Sequence, residues 1–121
     1  MMTATAKSIL YFGIYVIALG VILITIPNVL LGTFGFEATK EPWIRVLGVV
    51  VSALGYYYVV AAKSNSMAFF NATVYGRVWV FLAFAGLAAA AIAKPALVLF
   101  GAVDLLGAIW TFRAQKFDAQ A

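Results

Sequence analysis

Few side chains in this 121-residue chain could do chemistry, and the most conspicuous of them lie inside apolar stretches. Asp104 and Arg77 stand out. A lone charge near the centre of a bilayer costs ~2.5–3.5 kcal/mol even on lenient scales, so such a residue is paired or functional by default. Asp104 precedes Phe112 by eight residues, and Arg77 follows Phe69 by eight. At ~1.5 Å of rise per residue, both sit ~12 Å above the same end of their helices. The spacing therefore predicts an Arg77–Asp104 contact. Tyr15, Tyr57 and Tyr75 fall near this level and complete a candidate intramembrane polar cluster. Two roles fit it. As a clamp, the ion pair would fix helix register, with tyrosine hydroxyls satisfying its remaining valences. As a pocket, Arg77 would bind an anionic or carbonyl head group while Asp104 tuned it or relayed a proton.

Other chemistries are excluded by composition. The chain has no cysteine and no histidine. Disulfides, thiolate zinc sites, His-ligated haem and triads built on His or Cys are all impossible from this chain. The acids are only Glu37, Glu41, Asp104 and Asp118, too scattered to converge on a hard metal. No Walker, Gly-x-Gly-x-x-Gly or EF-hand pattern occurs. No catalytic residue, metal or cofactor is expected. Eight basic residues give a net charge of +4 but form no stripe, so no nucleic-acid partner is expected.

The elements that position the cluster follow from hydropathy. Apolar residues make up 66% of the chain and charged ones 10%. Mean hydropathy is +1.08. A soluble domain carries roughly 45–50% and ~25%. A helix crosses a bilayer in ~20 apolar residues. Four stretches qualify, at 9–26, 43–62, 69–93 and 96–112. The expected fold is all-α, one domain forming an integral membrane four-helix transmembrane bundle. The first run, flanked by Lys7, exceeds the ~7–15 residues of a signal-peptide core and reads as a retained helix.

Between the first two spans, residues 28–36 are largely apolar and predict a short interfacial helix, with Asn28 as N-cap and Gly35 just past its end. Thr39 or Glu41 is expected to cap the second span. Pro95 is expected in the first turn of the fourth span, making spans three and four a tight hairpin. Arg45, Gly48, Ser52 and Gly55 share one helical face, as do Gly101, Asp104, Ala108 and Thr111. Small residues let transmembrane helices approach closely, so these faces, and the Ala85–Ala91 region, are expected to pack. Arg45 is expected to snorkel to the head groups or pair with Glu41. An offset of 53 relates spans two and four at five of 22 positions, too few to establish a duplication.

Lys7, Lys63, Arg77, Arg113 and Lys116 lie on one side, against Lys40, Arg45 and Lys94 on the other. The basic excess favours both termini in the cytoplasm. The Asn71-Ala72-Thr73 sequon falls on that side and is not expected to be glycosylated.

The segments 27–36 and 100–110, with the Arg45 and Arg77 contexts, resemble small four-span bacterial inner-membrane proteins of the DoxX-like group. The resemblance implies a four-helix bundle in the bacterial inner membrane, sometimes a subunit beside redox or sulfur-metabolising partners, and transfers no catalytic residue. The expected function is that of an accessory or scaffold subunit, or a binder of a lipid-like molecule or partner protein. Alternatives are an oligomeric small transporter subunit and a membrane enzyme acting on a hydrophobic substrate. Expected partners are the lipid bilayer and a protein partner or second copy of the chain.

Overall fold

The computed structural model describes residues 2–120 and is all-helical, a bundle of four long helices with one short one. The order is α1 (Ala4–Thr25), α2 (Pro27–Thr33), α3 (Trp43–Lys63), α4 (Met67–Ala89) and α5 (Leu97–Gln120). α1, α3, α4 and α5 are each long and apolar enough to cross a membrane. At ~1.5 Å per residue even 20 residues span the ~30 Å hydrocarbon core. Both termini and the α3–α4 turn lie at one end, the base. α2 and the α4–α5 connection lie at the other, the top.

Several termini differ from the sequence expectation. α2 starts at Pro27, which needs no donor in a first turn. Asn28 is therefore not the cap; its amide instead pairs with both backbone groups of Thr39. α3 begins after Pro42 without a side-chain cap, and Thr39 accepts from the Glu41 N–H outside the helix. α4 ends at Ala89, four residues short of the expected boundary. Residues 90–96 then form turns that lead into α5.

The C-termini of α2, α3 and α4 close alike. In each, a left-handed residue follows the cap: Gly35 at φ 79°, Asn65 at 53° and Ala91 at 60°. The next N–H reaches back to a carbonyl one turn inside: Phe36 to Leu31, Ser66 to Ala61, Ile92 to Leu87. This pairing satisfies carbonyls that a helix end otherwise leaves open.

α1 and α3 form the tightest pair. Gly13 faces the Gly55 carbonyl, and Gly20 faces Gly48 and the Ser52 backbone. A Cβ on Gly20 would lie 2.5 Å from the Ser52 nitrogen, and one on Gly55 2.6 Å from the Ile17 nitrogen. The expected Gly48–Ser52–Gly55 face is thus the α3 face that meets α1. α4 packs on α5, where Gly101 lies against the Phe81 backbone. The alanine-rich end of α4 does not pack as expected. Gly86 has open space beside it, and Leu82 and Leu87 are exposed.

The core lies in the basal half. Ile9 and Phe70 are wholly buried there among Ala6, Phe12, Tyr58, Ala61 and Ala62. α4 buries only Phe70, Thr73 and Arg77, all in its basal half. At the top, polar ties hold the ends. Arg45 donates to the Ile24 and Thr25 carbonyls, capping α1 rather than pairing with Glu41. Lys94 donates to the Gly35 carbonyl at 3.1 Å.

Gly20→Val should separate α1 from α3 and lower the unfolding temperature in detergent sharply, because backbone atoms cannot move aside. Gly86→Ala should be neutral or stabilising by up to ~1 kcal/mol, since it only adds helix propensity. Equal losses in the two variants, read by circular dichroism melts, would contradict this packing.

Candidate functional site

Arg77 stands where the four spanning helices meet. It is 2% exposed. Its Nε donates to the Thr73 carbonyl one turn earlier, at 3.1 Å. Nη2 donates to the Thr73 hydroxyl at 3.2 Å and to the Thr111 hydroxyl of α5 at 2.8 Å. The guanidinium carbon lies 4.7 Å from the centre of the Phe12 ring of α1 and 5.9 Å from that of Tyr58 of α3. A cation over an aromatic face is attracted by the ring quadrupole, more strongly when water is excluded.

The hydroxyls extend this arrangement toward the base. Ser8 donates to the Thr5 carbonyl at 2.7 Å, so Thr111 is the donor in the 2.8 Å Thr111–Ser8 bond. Thr5, Ser8 and Thr111 are all buried. The Thr5 hydroxyl then donates to Asp118 at 2.6 Å. Asp118 also accepts from the N–H groups of Thr5 at 2.8 Å and Ala4 at 3.2 Å. A carboxylate from the end of α5 thus caps the start of α1, where the helix dipole favours negative charge. Asp118 lies six residues beyond Phe112, past the apolar stretch of α5. The Thr5 hydroxyl, then the Thr5 and Ala4 N–H groups, hold its carboxyl below the ordinary 3.8.

The expected Arg77–Asp104 ion pair is not formed. Depth agrees only to within electrostatic range. Among the described residues, however, Asp104 makes no hydrogen bond or ion pair, and Arg77 takes hydroxyls instead. The reason is axial, since Asp104 and Thr111 share a face of α5. Arg77 aims at the Thr111 and Gly107 level, one to two turns of α5 below Asp104. A Cβ on Gly107 would lie 2.9 Å from Arg77 Nη1 and 2.8 Å from the Phe12 ring, so the arginine needs a glycine there. Nη1 is sealed and has no hydrogen-bond partner among the described residues.

The expected tyrosines separate. Tyr15, 37% exposed, lies in electrostatic range of Asp104. Tyr57 and Tyr75 are 57% and 78% exposed and face the bilayer, outside the cluster. Tyr58 occupies the inward position, one residue and 100° around the helix from Tyr57. Sequence depth alone could not choose among Tyr56, Tyr57 and Tyr58. Thr73 lies at the expected polar level and Thr111 on the expected face of α5, but the spacing does not single them out as the partners of Arg77, and Ser8 carries no signal in its apolar run.

A groove of 260 Å³ runs above this level between α1, α2 and α5. Tyr15, Leu19, Leu30, Phe34, Phe100 and Val103 are among its lining residues, and its surface is almost wholly apolar. Tyr15, on α1, forms its lower end and lies within electrostatic range of Asp104, which is not itself a lining residue but follows the lining Val103. A larger hollow of 330 Å³ lies at the base beside Thr3, Lys63 and Asn65. It borders neither Arg77 nor Asp104. We take the groove as the candidate site, because it is the more apolar of the two and is lined by Val103, the neighbour in sequence of the unpartnered Asp104, whereas the charge beside the basal hollow is the exposed Lys63.

No family model, curated relative or solved structure matches the chain.

Thr111→Val should cost ~1–3 kcal/mol, leaving Arg77 and Ser8 short of partners. Asp104→Leu should fold near normally, and should not rescue Arg77→Leu. Rescue in the double variant, measured by detergent unfolding, would restore the ion-pair clamp. Asp118 gives a separate test by pH. A depressed carboxyl contributes stability that is full above its unfolded value and is lost as pH falls through its folded value. Unfolding temperature should therefore fall as pH drops below ~3.9. Asp118→Ala should be less stable at neutral pH and lack that part of the fall.

Proposed function

We propose that the protein is a non-enzymatic membrane binder of a single-chain amphiphile, held with its chain in the α1–α2–α5 groove. The observation that carries this reading is the apolar groove ending at Tyr15 beside a carboxylate with no partner. Ligand pockets are mostly apolar with a few placed polar groups. At 260 Å³ the groove falls just under the ~300–1,000 Å³ of sites for compact ligands, which suits one acyl or prenyl chain. Arg77 acts as the structural centre: its donors are engaged or sealed, so it does not take a head group.

Location follows the same reading. The protein sits in the bacterial inner membrane with both termini in the cytoplasm, on the basic excess at the base and the DoxX-like resemblance of segments 27–36 and 100–110. That resemblance also supports an accessory role, the bound amphiphile being presented to or kept for a partner subunit.

Native mass spectrometry of protein extracted gently from its own membrane tests the reading. The expected result is a co-purifying small mass, lost in Ala18→Trp, which fills the groove from its rim while leaving the unfolding temperature unchanged. A bare monomer overturns amphiphile binding. So does a second polypeptide at fixed ratio with no small mass, which leaves the accessory role alone.

A further inference from the structure

The cations near the groove are already committed, and Glu37 on the top connection is exposed. Arg77 is bonded to Thr73 and Thr111, and its remaining nitrogen is sealed beneath Phe12 and Gly107. Arg45 caps α1. Lys94, at the top of the groove, is exposed and already donates to Gly35. Of the charges within the apolar stretches, Arg45, Arg77 and Asp104, only Asp104 has open valence among the described residues. Its oxygens are not sealed, and no donor among the described residues reaches them. It adjoins Val103 and lies one turn from Phe100, both of which line the groove.

An ionised carboxylate only accepts hydrogen bonds. In an apolar surround an unpaired one is costly, and a charged donor relieves that cost best. From this, and resting on the groove reading above, we infer that the amphiphile carries a protonated amine, held by Asp104 with its chain extending past Tyr15 toward Phe34. Tyr15 adds an aromatic face and a hydroxyl at the same end, which suits an ammonium. An anionic head would meet Asp104 with no free cation to offset it. The competing placement sets an anionic head at Lys94 with the tail running down to Tyr15. That placement gains less, because Lys94 is exposed and already bonded to Gly35, and it leaves Asp104 unpaired.

The test uses the full chain in zwitterionic nanodiscs, with empty nanodiscs as the partition control. Radiolabelled dodecylamine, dodecanol and dodecanoate share one chain and differ only in the head. Protein-dependent binding of the amine should exceed that of dodecanoate by about tenfold or more, as a charge-assisted hydrogen bond requires. Asp104→Asn should shrink that preference to about twofold, and Asp104→Glu should keep most of it; unfolding temperatures confirm that both variants fold. Equal binding of all three probes, unchanged in Asp104→Asn, overturns the amine assignment and leaves the groove reading intact. Preference for dodecanoate, abolished by Lys94→Gln, places the head at the top and also overturns it. No binding of any probe removes the groove reading together with the inference.

Discussion

A guanidinium buried where four apolar helices converge is the constraint on which the rest of the bundle depends. Arg77 donates hydrogen bonds to groups on α4 and α5 and lies against rings of α1 and α3. Each helix must present one specific group at one depth for the cation to be tolerated. Burying an ion without such partners costs several kcal/mol. The hydroxyls of Thr73 and Thr111 supply acceptors without adding a second desolvated charge. That explains how the cation is held with Asp104 left out of the arrangement. It also explains why Gly107 must lack a side chain, since the guanidinium edge occupies the space a Cβ would fill.

The same constraint divides the molecule along the membrane normal. Below Arg77, Ile9, Phe70, Tyr58 and Ala61 fill a common core, and Asp118 ties the end of α5 to the start of α1. Above it the helices part into two pairs. α1 stays with α3 because Gly13, Gly20, Gly48 and Gly55 bring the backbones into contact. α4 stays with α5 along Gly101, Phe81 and Phe84. The upper part of α1 therefore meets α5 less closely, and α2 folds back across the opening with Phe34 against Phe100, ring centres 4.7 Å apart. The groove is the space this divergence leaves.

Much of this was legible in the sequence. Span count, the interfacial helix and the Gly48–Gly55 face follow from hydropathy, length and the spacing of small residues, which are local properties. Depth was legible too, because rise per residue is fixed: Arg77 and Asp104 do lie close enough to feel each other. What depth arithmetic cannot supply is rotation. A step from Tyr57 to Tyr58 turns a side chain by ~100°, from lipid to core, and hydropathy is blind to it in a helix that is apolar all round. The partners of Arg77 were hidden for a related reason. Charge rules look for a carboxylate, whereas a helix interior offers threonine hydroxyls and the second lone pair of its carbonyls, which leave no mark in a charge pattern.

The separation of Arg77 from Asp104 has a functional logic of its own. Had the two paired, both charges would be satisfied and the upper groove would end on a closed, neutral surface. Because hydroxyls satisfy the arginine, the bundle holds together without the aspartate. Asp104 is then not needed to hold the buried cation, and in the reading proposed above it is the group left for a bound amine. The groove, the half-open Tyr15 and the unpartnered carboxylate lie together at the one level where the fold is tight below and parted above.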